Sequence, residues 1–259
     1  MSGGAARGIA HVGVMRALVE NKVPIDYIAG TSAGSIVGGA FAAGMPVEEI
    51  AEFGQSLRWR DIGRMTMSRL GVQSNERLEQ YLRERLPVTR FEELEIPFAA
   101  VATDLKTGTA VVMRDQGDVP FAIRASCAIP GWYVPVSDEE GRQLVDGGLV
   151  AVIPATVTRD LGAELVIAVD VNSAGATFLG PTSSIIGVAL QSMLVVQKTA
   201  SRYQLSSSDL VITPQVGHIR WDEMGRAAEL MEAGYAAAME SIPQVFELLE
   251  SGSLKSAVL

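Results

Sequence analysis

The sequence is poor in the residues that form disulfides and metal sites. Its 259 residues include one cysteine, Cys127, and two histidines, His11 and His218. A disulfide needs two cysteines, and the usual zinc sites need several Cys and His ligands at fixed spacings. We therefore predict neither a disulfide framework nor a metal site.

Net positive charge is also absent. The chain has 21 Lys and Arg against 30 Asp and Glu, a net charge of −9, and its basic residues are scattered among the acidic ones. Binding to nucleic acid requires clustered Lys and Arg that neutralise phosphates. We therefore predict no nucleic-acid partner, and we expect this net charge to give little attraction to an anionic lipid surface.

Long apolar runs are missing as well. The longest one, near residues 185–196, is interrupted by Gly187, Gln191 and Ser192, whereas a membrane-spanning helix needs ~20 apolar residues. The N-terminus shows no basic segment followed by an apolar one, as a secretory signal would. We predict no transmembrane helix and expect a cytoplasmic location.

What remains is the composition of a globular protein, with 48% hydrophobic and 20% charged residues, 26 Gly and 11 Pro. No internal repeat, low-complexity tract or linker divides the chain. This length suits one large α/β domain. We predict a single domain over residues 1–259.

Short apolar runs alternate with helical patterns along the chain. The runs are residues 27–29, 98–102, 143–145, 165–169 and 210–212. Runs that are apolar on both faces are typical of parallel strands between helices. The pattern predicts an α/β fold with a mostly parallel central sheet, and residues 104–108, between two such runs, predict a hairpin turn.

Amphipathic spacing predicts helices between these strands. The candidates are residues 7–20, 35–43, 47–57 and 75–86. The Met, Trp and Phe residues of segment 45–95 have two interpretations. They form either a lipid-facing cover or packed helix faces, and packed faces are the more usual role of such a stripe.

The strongest local signal is Gly30-Thr31-Ser32-Ala33-Gly34, which follows a short strand and precedes an apolar helix. A serine on such a tight turn is lifted clear of the backbone, as in a nucleophile elbow, and the helix N-terminus favours developing negative charge. The alternative is an ordinary glycine turn. We favour Ser32 as a nucleophile.

A serine nucleophile needs a base that takes its proton. His11 lies among apolar residues of the first helix and His218 in a polar stretch, so a structural or exposed role suits each better than catalysis. Asp146 follows a strand-like run, and Gly147 and Gly148 behind it allow a close backbone approach. An ordinary turn remains an equal interpretation of Asp146.

The third element is the glycine-rich loop Ser2-Gly3-Gly4-Ala5-Ala6-Arg7-Gly8, which leads into a helix. Its backbone N–H groups suit the oxyanion hole that acyl transfer requires. A phosphate cradle is the weaker interpretation, because the spacing matches neither the Rossmann fingerprint nor the P-loop.

Taken together, these motifs resemble the bacterial patatin-like phospholipases over nearly the whole chain. The blocks that carry the resemblance are the glycine loop with the following Ile9–Val14, the elbow at 30–34, the hairpin at 102–108, Arg124–Ser126 with Ile129–Gly131, Leu144–Leu149 and Leu161–Asp170. The resemblance implies a three-layer α/β/α fold and a lipid acyl hydrolase without a cofactor.

The resemblance also implies the roles of individual residues. Ser32 is the nucleophile and Asp146 the general base of a Ser-Asp dyad without histidine. The oxyanion hole is formed by Gly3, Gly4 and Ala5 and ordered by Arg7. The motif-supporting glycines are Gly8, Gly30, Gly34, Gly147 and Gly148. The implied substrate is a lipid or another acyl ester, with transient contact to a membrane surface.

The sequence departs from the family pattern in two places. Family members carry an apolar strand before the glycine loop, and Met1-Ser2 leaves no room for it. Either the start of the sequence is truncated or misassigned, or the sheet lacks this first strand, and we expect the loop to be poorly anchored. Ala151-Val152-Ile153 stands where Asn residues often follow the Asp-Gly-Gly-Leu segment.

Two alternative functions remain. One is an α/β-hydrolase esterase with a triad of Ser32, an Asp and His218, although that fold places several strands before its elbow and here the elbow is at residue 32. The other is a catalytically silent family member that binds lipid or acts as an interaction protein. Turnover of a chromogenic ester separates the second alternative from the enzymes.

Overall fold

The computed structural model describes residues 1–172 and 185–256. In chain order the strands are β1 (Ile28–Thr31), β2 (Arg64–Met65), β3 (Gly71–Ser74), β4 (Phe98–Asp104), β5 (Ala110–Met113), β6 (Gly131–Tyr133), β7 (Val136–Ser137), β8 (Gln143–Asp146), β9 (Ile167–Val169) and β10 (Leu210–Ile212). The α-helices are α1 (Ala10–Glu20), α2 (Ala33–Ala42), α3 (Val47–Ser56), α4 (Trp59–Ile62), α5 (Glu76–Arg83), α6 (Val119–Ser126), α7 (Ala155–Asp160), α8 (Ile185–Gln204) and α9 (Ala227–Ser256).

The central sheet is built around β4, whose residues are all buried. Its strand order is β1-β4-β8-β7, with β5 also paired to β4. β1 runs parallel to β4, whereas β5 and β8 run antiparallel to it and β7 antiparallel to β8. The sheet is therefore mixed, and less parallel than the sequence predicted.

The two faces of this sheet pack against different helices. Ala100 and Ala102 belong to the large core that includes α2 and α6, while Ala99 and Val101 form a separate cluster with Val157 of α7. Successive residues of a strand point to opposite faces. The sheet therefore lies between two helical layers, and the predicted three-layer α/β/α arrangement is confirmed.

The first residues of the chain lie between β1 and the parallel pair β9–β10. Thr31 N donates a hydrogen bond to the Met1 carbonyl (3.2 Å), and Ser2 N donates one to the Val169 carbonyl of β9 (3.0 Å). Ser2 is fully buried. Our expectation of a poorly anchored glycine loop is therefore wrong, because backbone bonds to both neighbouring segments hold residues 1–3.

A small third sheet borders the core in the order β2-β3-β6. β2 and β3 pair antiparallel, and β3 pairs parallel with β6 through Gly71 and Gly131. We call residues 64–74, which include both strands and their connection, the β2–β3 hairpin. Met65 and Met67 of this hairpin are exposed, so this part of segment 45–95 is not the packed helix face that was the more usual interpretation.

The predicted helices and the predicted hairpin are confirmed. The segments predicted at 7–20, 47–57 and 75–86 contain α1, α3 and α5, and the segment predicted at 35–43 overlaps α2, which begins two residues earlier. β4 and β5 form the hairpin, whose turn contains Gly108 with φ +70°. No described helix combines the length and apolarity that crossing a membrane requires.

Helices α1 and α9 cross in close backbone contact at two glycines. A Cβ atom on Gly13 would collide with the Met231 carbonyl oxygen, and one on Gly234 would collide with the Ala10 carbonyl oxygen. Small residues are therefore required on both sides of the crossing.

We expect Gly13→Ala to lower the free energy of unfolding by about 1–3 kcal/mol, because the added methyl group must push two packed helices apart. Denaturant titration of the variant measures this loss. Gly225→Ala is the matched control, since a Cβ atom there meets no atom within 4 Å. Equal stability of Gly13→Ala and the wild type would contradict the close crossing.

Candidate active site

The predicted elbow is formed at the turn between β1 and α2. Ser32 occupies it with φ 52° and ψ −125°, a region of backbone conformation that non-glycine residues rarely adopt and that is often found at functional sites. A Cβ atom on Gly30 would lie 2.5 Å from the Gly34 carbonyl oxygen, and one on Gly34 would lie 2.5 Å from the Met1 carbonyl oxygen. Both flanking glycines are therefore required by close packing.

The backbone of the elbow is held by a second serine, Ser126 of α6. Ser32 N donates to Ser126 Oγ (2.8 Å), and Ser126 Oγ donates to the Val101 carbonyl of β4 (2.6 Å). This chain of hydrogen bonds fixes the elbow to the central strand. Ser126 lies in one of the sequence blocks that carry the family resemblance, but no local motif indicated this role.

Asp146 ends β8 and faces the elbow. Ser32 lies near its carboxylate, since both residues line one cavity and the Ser32 side chain lowers the pKa of Asp146. Gly148 N donates to Asp146 Oδ1 (2.8 Å). Burial raises the pKa of Asp146 to about 6, and the Ser32 side chain and the Gly148 amide partly oppose the rise. A carboxyl group with this pKa is half ionised near pH 6 and accepts a proton readily above it.

Close packing holds the loop behind Asp146. A Cβ atom on Gly147 would collide with the Val101 carbonyl oxygen, and one on Gly148 would lie 2.5 Å from Gln197 Nε2 of α8. Gly147 thus lets the loop with Asp146 approach the central strand closely, as the sequence predicted, and Gly148 leaves room for the Gln197 side chain.

The glycine loop lies beside Ser32. A Cβ atom on Gly3 would be 3.3 Å from Ser32 Cβ, and one on Gly8 would collide with Ala33 Cβ. Gly3 N, however, donates to the Val152 carbonyl (3.0 Å), so this amide is engaged and is not a donor for an oxyanion. The assignment of Gly3 as a donor is therefore corrected.

Two predicted donors remain in the loop. Within the described part of the chain, the Gly4 and Ala5 amides have no protein acceptor. Ala5 adopts φ 49°, a left-handed conformation that turns the chain sharply after Gly4. Arg7 is buried, and its Nε donates to the Ile219 carbonyl (2.6 Å), which ties the loop to the segment after β10. This contact agrees with an ordering role of Arg7.

Asn172 also supports the loop and was missed by the sequence analysis. Its Nδ2 donates to the Gly3 carbonyl (2.6 Å). Together with the bond from Gly3 N to Val152, this contact holds both backbone polar groups of Gly3. An asparagine after a strand carries no local signal for this role.

Neither histidine is placed as a base for Ser32. His11 is fully buried, its Nε2 is 2.8 Å from the Ser2 carbonyl oxygen, and burial lowers its pKa to about 3. His218 is exposed, and its Nε2 is 2.9 Å from Glu229 Oε1. In the described residues no hydrogen bond joins either ring to Ser32.

Two cavities meet at Ser32. The first, about 70 Å³, is apolar and is lined by side chains such as Ile36, Phe53, Leu57 and Leu78. The second, about 230 Å³, is lined by Gly4, Ala5 and Asp146 on one side and by α8 on the other. We call them the apolar cavity and the polar cavity.

The cavity beside Ser32 also contains a thiol, whereas the described residues form no cluster for a metal ion. Cys127 lines the apolar cavity, and burial raises the pKa of its thiol, so the thiol stays protonated. Within the described residues, no group of three or more His, Cys, Asp or Glu side chains is arranged to hold a metal ion.

Comparison with known proteins identifies the family of this site. The profile of the family described as patatin-like phospholipase matches residues 1–159. The chain belongs to the patatin-like phospholipase family. The matched residues include the glycine loop, the elbow with Ser32 and the loop with Asp146.

Patatin-like relatives cover about two thirds of the chain. An uncharacterized NTE family protein of Mycobacterium tuberculosis is 40% identical over 179 residues, 68% of this chain and 49% of that protein. A lysophospholipase of Mycosarcoma maydis is 36% identical over 181 residues, 67% of this chain and 9% of that protein. The chain spans about half the length of the mycobacterial relative.

A solved structure supports the patatin-like fold. VipD from Legionella pneumophila matches with a TM-score of 0.56 at 14% sequence identity, covering 94% of this chain and 66% of that chain. At this identity the likeness concerns the fold alone. It agrees with the α/β/α layers described above.

The patatin-like site brings four chemical features together. It has a serine with a strained backbone, a buried carboxyl group near the serine hydroxyl, two backbone amides without a protein acceptor among the described residues, and an apolar cavity. A hydroxyl next to a base, with amides that stabilise negative charge, is the arrangement that nucleophilic acyl transfer requires.

Proposed function

We propose that the chain is a serine lipid acyl hydrolase that cleaves carboxylic esters through a Ser32–Asp146 dyad. The observation that carries the proposal is the contact of the Ser32 side chain with a buried carboxyl group whose pKa is raised to about 6. Membership of the patatin-like phospholipase family and a relative named lysophospholipase support a lipid ester as the substrate.

In the proposed first half-reaction, Asp146 takes the proton of the Ser32 hydroxyl as the oxygen attacks the ester carbonyl carbon. The carbonyl π electrons move to the oxygen, and the Gly4 and Ala5 amides stabilise this oxyanion. When the carbonyl re-forms, the alcohol leaves with the proton from Asp146. The acyl group is then bonded to Ser32 Oγ.

The second half-reaction releases the acid. Asp146 takes a proton from water, the water oxygen attacks the acyl-enzyme, and the Ser32 oxygen leaves with that proton. Since the apolar cavity is walled by aliphatic and aromatic side chains, we propose that it holds the acyl chain. The polar cavity would then hold the alcohol portion of the ester.

We also propose that residues 1–259 act as one patatin-like domain. The segments beyond the family match contribute to the same site, because α8 lines the polar cavity and α9 packs on the helix that follows the glycine loop. Gln204 of α8 also binds the Asp146 loop, with Nε2 donating to the Val150 carbonyl (2.9 Å).

The alternative functions make different predictions for one experiment. We expect purified protein to hydrolyse a chromogenic short-chain ester and to release fatty acid from a lysophospholipid, as measured by absorbance and by mass spectrometry of the products. A silent lipid-binding protein would hydrolyse neither substrate. A fluorophosphonate probe, which reacts with activated serines, should add one adduct, located at Ser32 by peptide mapping.

A further inference from the structure

Exposed large apolar side chains are concentrated in two segments of the described chain. Of the twelve such side chains in the described residues, seven lie in α8 or in the β2–β3 hairpin. They are Val188, Val195, Val196 and Tyr203 of α8, and Met65, Met67 and Leu70 of the hairpin. Met67 is 101% exposed, so its side chain packs on nothing.

The exposed residues of α8 lie on one face of the helix. At about 100° per residue, the four side chains fall within an arc of roughly 100°. Leu190, Gln197 and Ser201, which line the polar cavity, fall on the opposite face. α8 therefore forms one wall of the cavity and presents an apolar stripe away from it.

Both segments are positively charged, although the whole chain carries −9. Residues 171–208 contain Lys198 and Arg202 but no Asp or Glu, and residues 58–77 contain five Arg against two acidic residues. In the described part of the chain, no carboxylate pairs with Arg64, Arg69 or Arg202. Their charges are free to meet anions outside the protein.

The β2–β3 hairpin is connected to the polar cavity through β6 and two tryptophans. β3 pairs with β6, and Trp132 of β6 contacts Trp221 with 6.1 Å between ring centroids. Trp221 lines the polar cavity, as do residues of α8. Val195 and Lys198 are exposed and also line this cavity, so the apolar stripe begins at the cavity's rim.

We propose that the outer face of α8 and the β2–β3 hairpin form one docking surface for an anionic lipid bilayer. Apolar side chains interspersed with unpaired basic ones suit the boundary between acyl chains and anionic head groups. Attraction to such a surface depends on local charge, since charges farther than about 8–10 Å are screened. This proposal rests on the proposed function, because docking would place the mouth of the polar cavity next to the lipid substrate.

Binding is tested on full-length protein carrying Ser32→Ala, so that the lipid is not consumed. We expect sedimentation with vesicles of phosphatidylcholine and phosphatidylglycerol (70:30), and weaker binding to pure phosphatidylcholine. Val196→Asp and Met67→Asp should each lower the partition coefficient roughly tenfold, because each places a carboxylate in the apolar boundary. Arg202→Glu should lower it by a similar factor on the anionic vesicles only.

The controls separate docking from catalysis and from folding. Val112→Asp, on exposed β5 outside the surface, should bind vesicles like the parent protein. In protein that retains Ser32, the Val196→Asp, Met67→Asp and Arg202→Glu variants should hydrolyse a soluble short-chain ester like the wild type. Docking without any ester hydrolysis would leave this proposal standing and overturn the proposed function.

Two results would overturn the docking surface. One is that Val196→Asp and Met67→Asp bind vesicles as the parent protein does, or that Val112→Asp loses as much vesicle binding as they do. The other is a concentration-dependent dimer that the same two substitutions dissociate, as measured by analytical ultracentrifugation, in protein that does not bind vesicles. That result would make the surface an interface between two copies of the chain.

Discussion

Replacing Ser32 by Ala is expected to lower kcat/KM for ester hydrolysis by on the order of 10⁴-fold or more, because the substitution removes the atom that bonds to the acyl group. The fold should be retained, since the hydrogen bond to Ser126 uses the Ser32 backbone amide. The loss is measured with a soluble chromogenic ester, and the fluorophosphonate adduct should disappear with it.

His218→Ala is the matched control for this prediction. The imidazole is exposed and pairs with Glu229, so we expect activity within about twofold of the wild type. If His218→Ala were as inactive as Ser32→Ala, the dyad would be wrong and a triad would be favoured. Substantial activity of Ser32→Ala would exclude Ser32 as the nucleophile.

Asp146→Asn is expected to lower kcat/KM by roughly 10²–10⁴-fold, the contribution of a positioned general base. In the wild type, kcat/KM should fall as the pH drops through about 6, because the base must be ionised and its pKa is about 6. The pH profile of the residual activity in Asp146→Asn should lack this step. Initial rates between pH 4.5 and 8.5 measure both effects.

The stability of Asp146→Asn helps to separate catalysis from unfolding. The pKa of Asp146 is raised in the folded protein from 3.8 to about 6. Folded-state stability therefore falls as the pH rises from about 3.8 to about 6, and the full cost of burying the carboxylate remains above pH 6. A neutral Asn avoids this cost, and the variant should unfold no more easily than the wild type at pH 7–8. Glu229→Gln is the carboxylate control, and its pH profile should match the wild type.

An unchanged pH step in Asp146→Asn would contradict the assignment of Asp146 as the base. A loss of activity accompanied by a lower midpoint of unfolding would instead indicate a structural role. Asp146 contacts both Ser32 and Gly148, so the two measurements must be made on the same preparations.

The elbow and the glycine loop after Asp146 were predictable because their signals are local. A strand, a tight glycine turn and a helix are contiguous around Ser32, and Gly147 and Gly148 directly follow Asp146. The close approaches that these glycines permit are consistent with the pattern. The contact between Ser32 and Asp146 itself was implied only by the family resemblance.

The features that the sequence did not predict depend on distant parts of the chain. Asn172 supports Gly3 across 169 positions, and Ser126 supports Ser32 across 94. Neither the residue type of Asn172 and Ser126 nor the sequence around them indicates these distant partners. The direction of β8 was likewise unpredictable, because a run such as Gln143–Asp146 is equally apolar in a parallel or an antiparallel strand.

The anchoring of residues 1–3 was missed for a related reason. Met1 and Ser2 form no strand pattern of their own, and their backbone bonds go to β1 and to Val169 of β9. Only the assembled fold brings these two edges close enough to bind the same short segment. Such gaps between neighbouring strands cannot be inferred from local periodicity.

The crossing of α1 and α9 joins two helices that are synthesised far apart in time. Gly13 lies one helical turn after the start of α1, whereas Gly234, its counterpart in α9, is translated 221 positions later. At about 5–20 residues per second, a ribosome needs roughly 10–45 s to cover this distance. Throughout that interval the nascent chain carries the first helix without its packing partner.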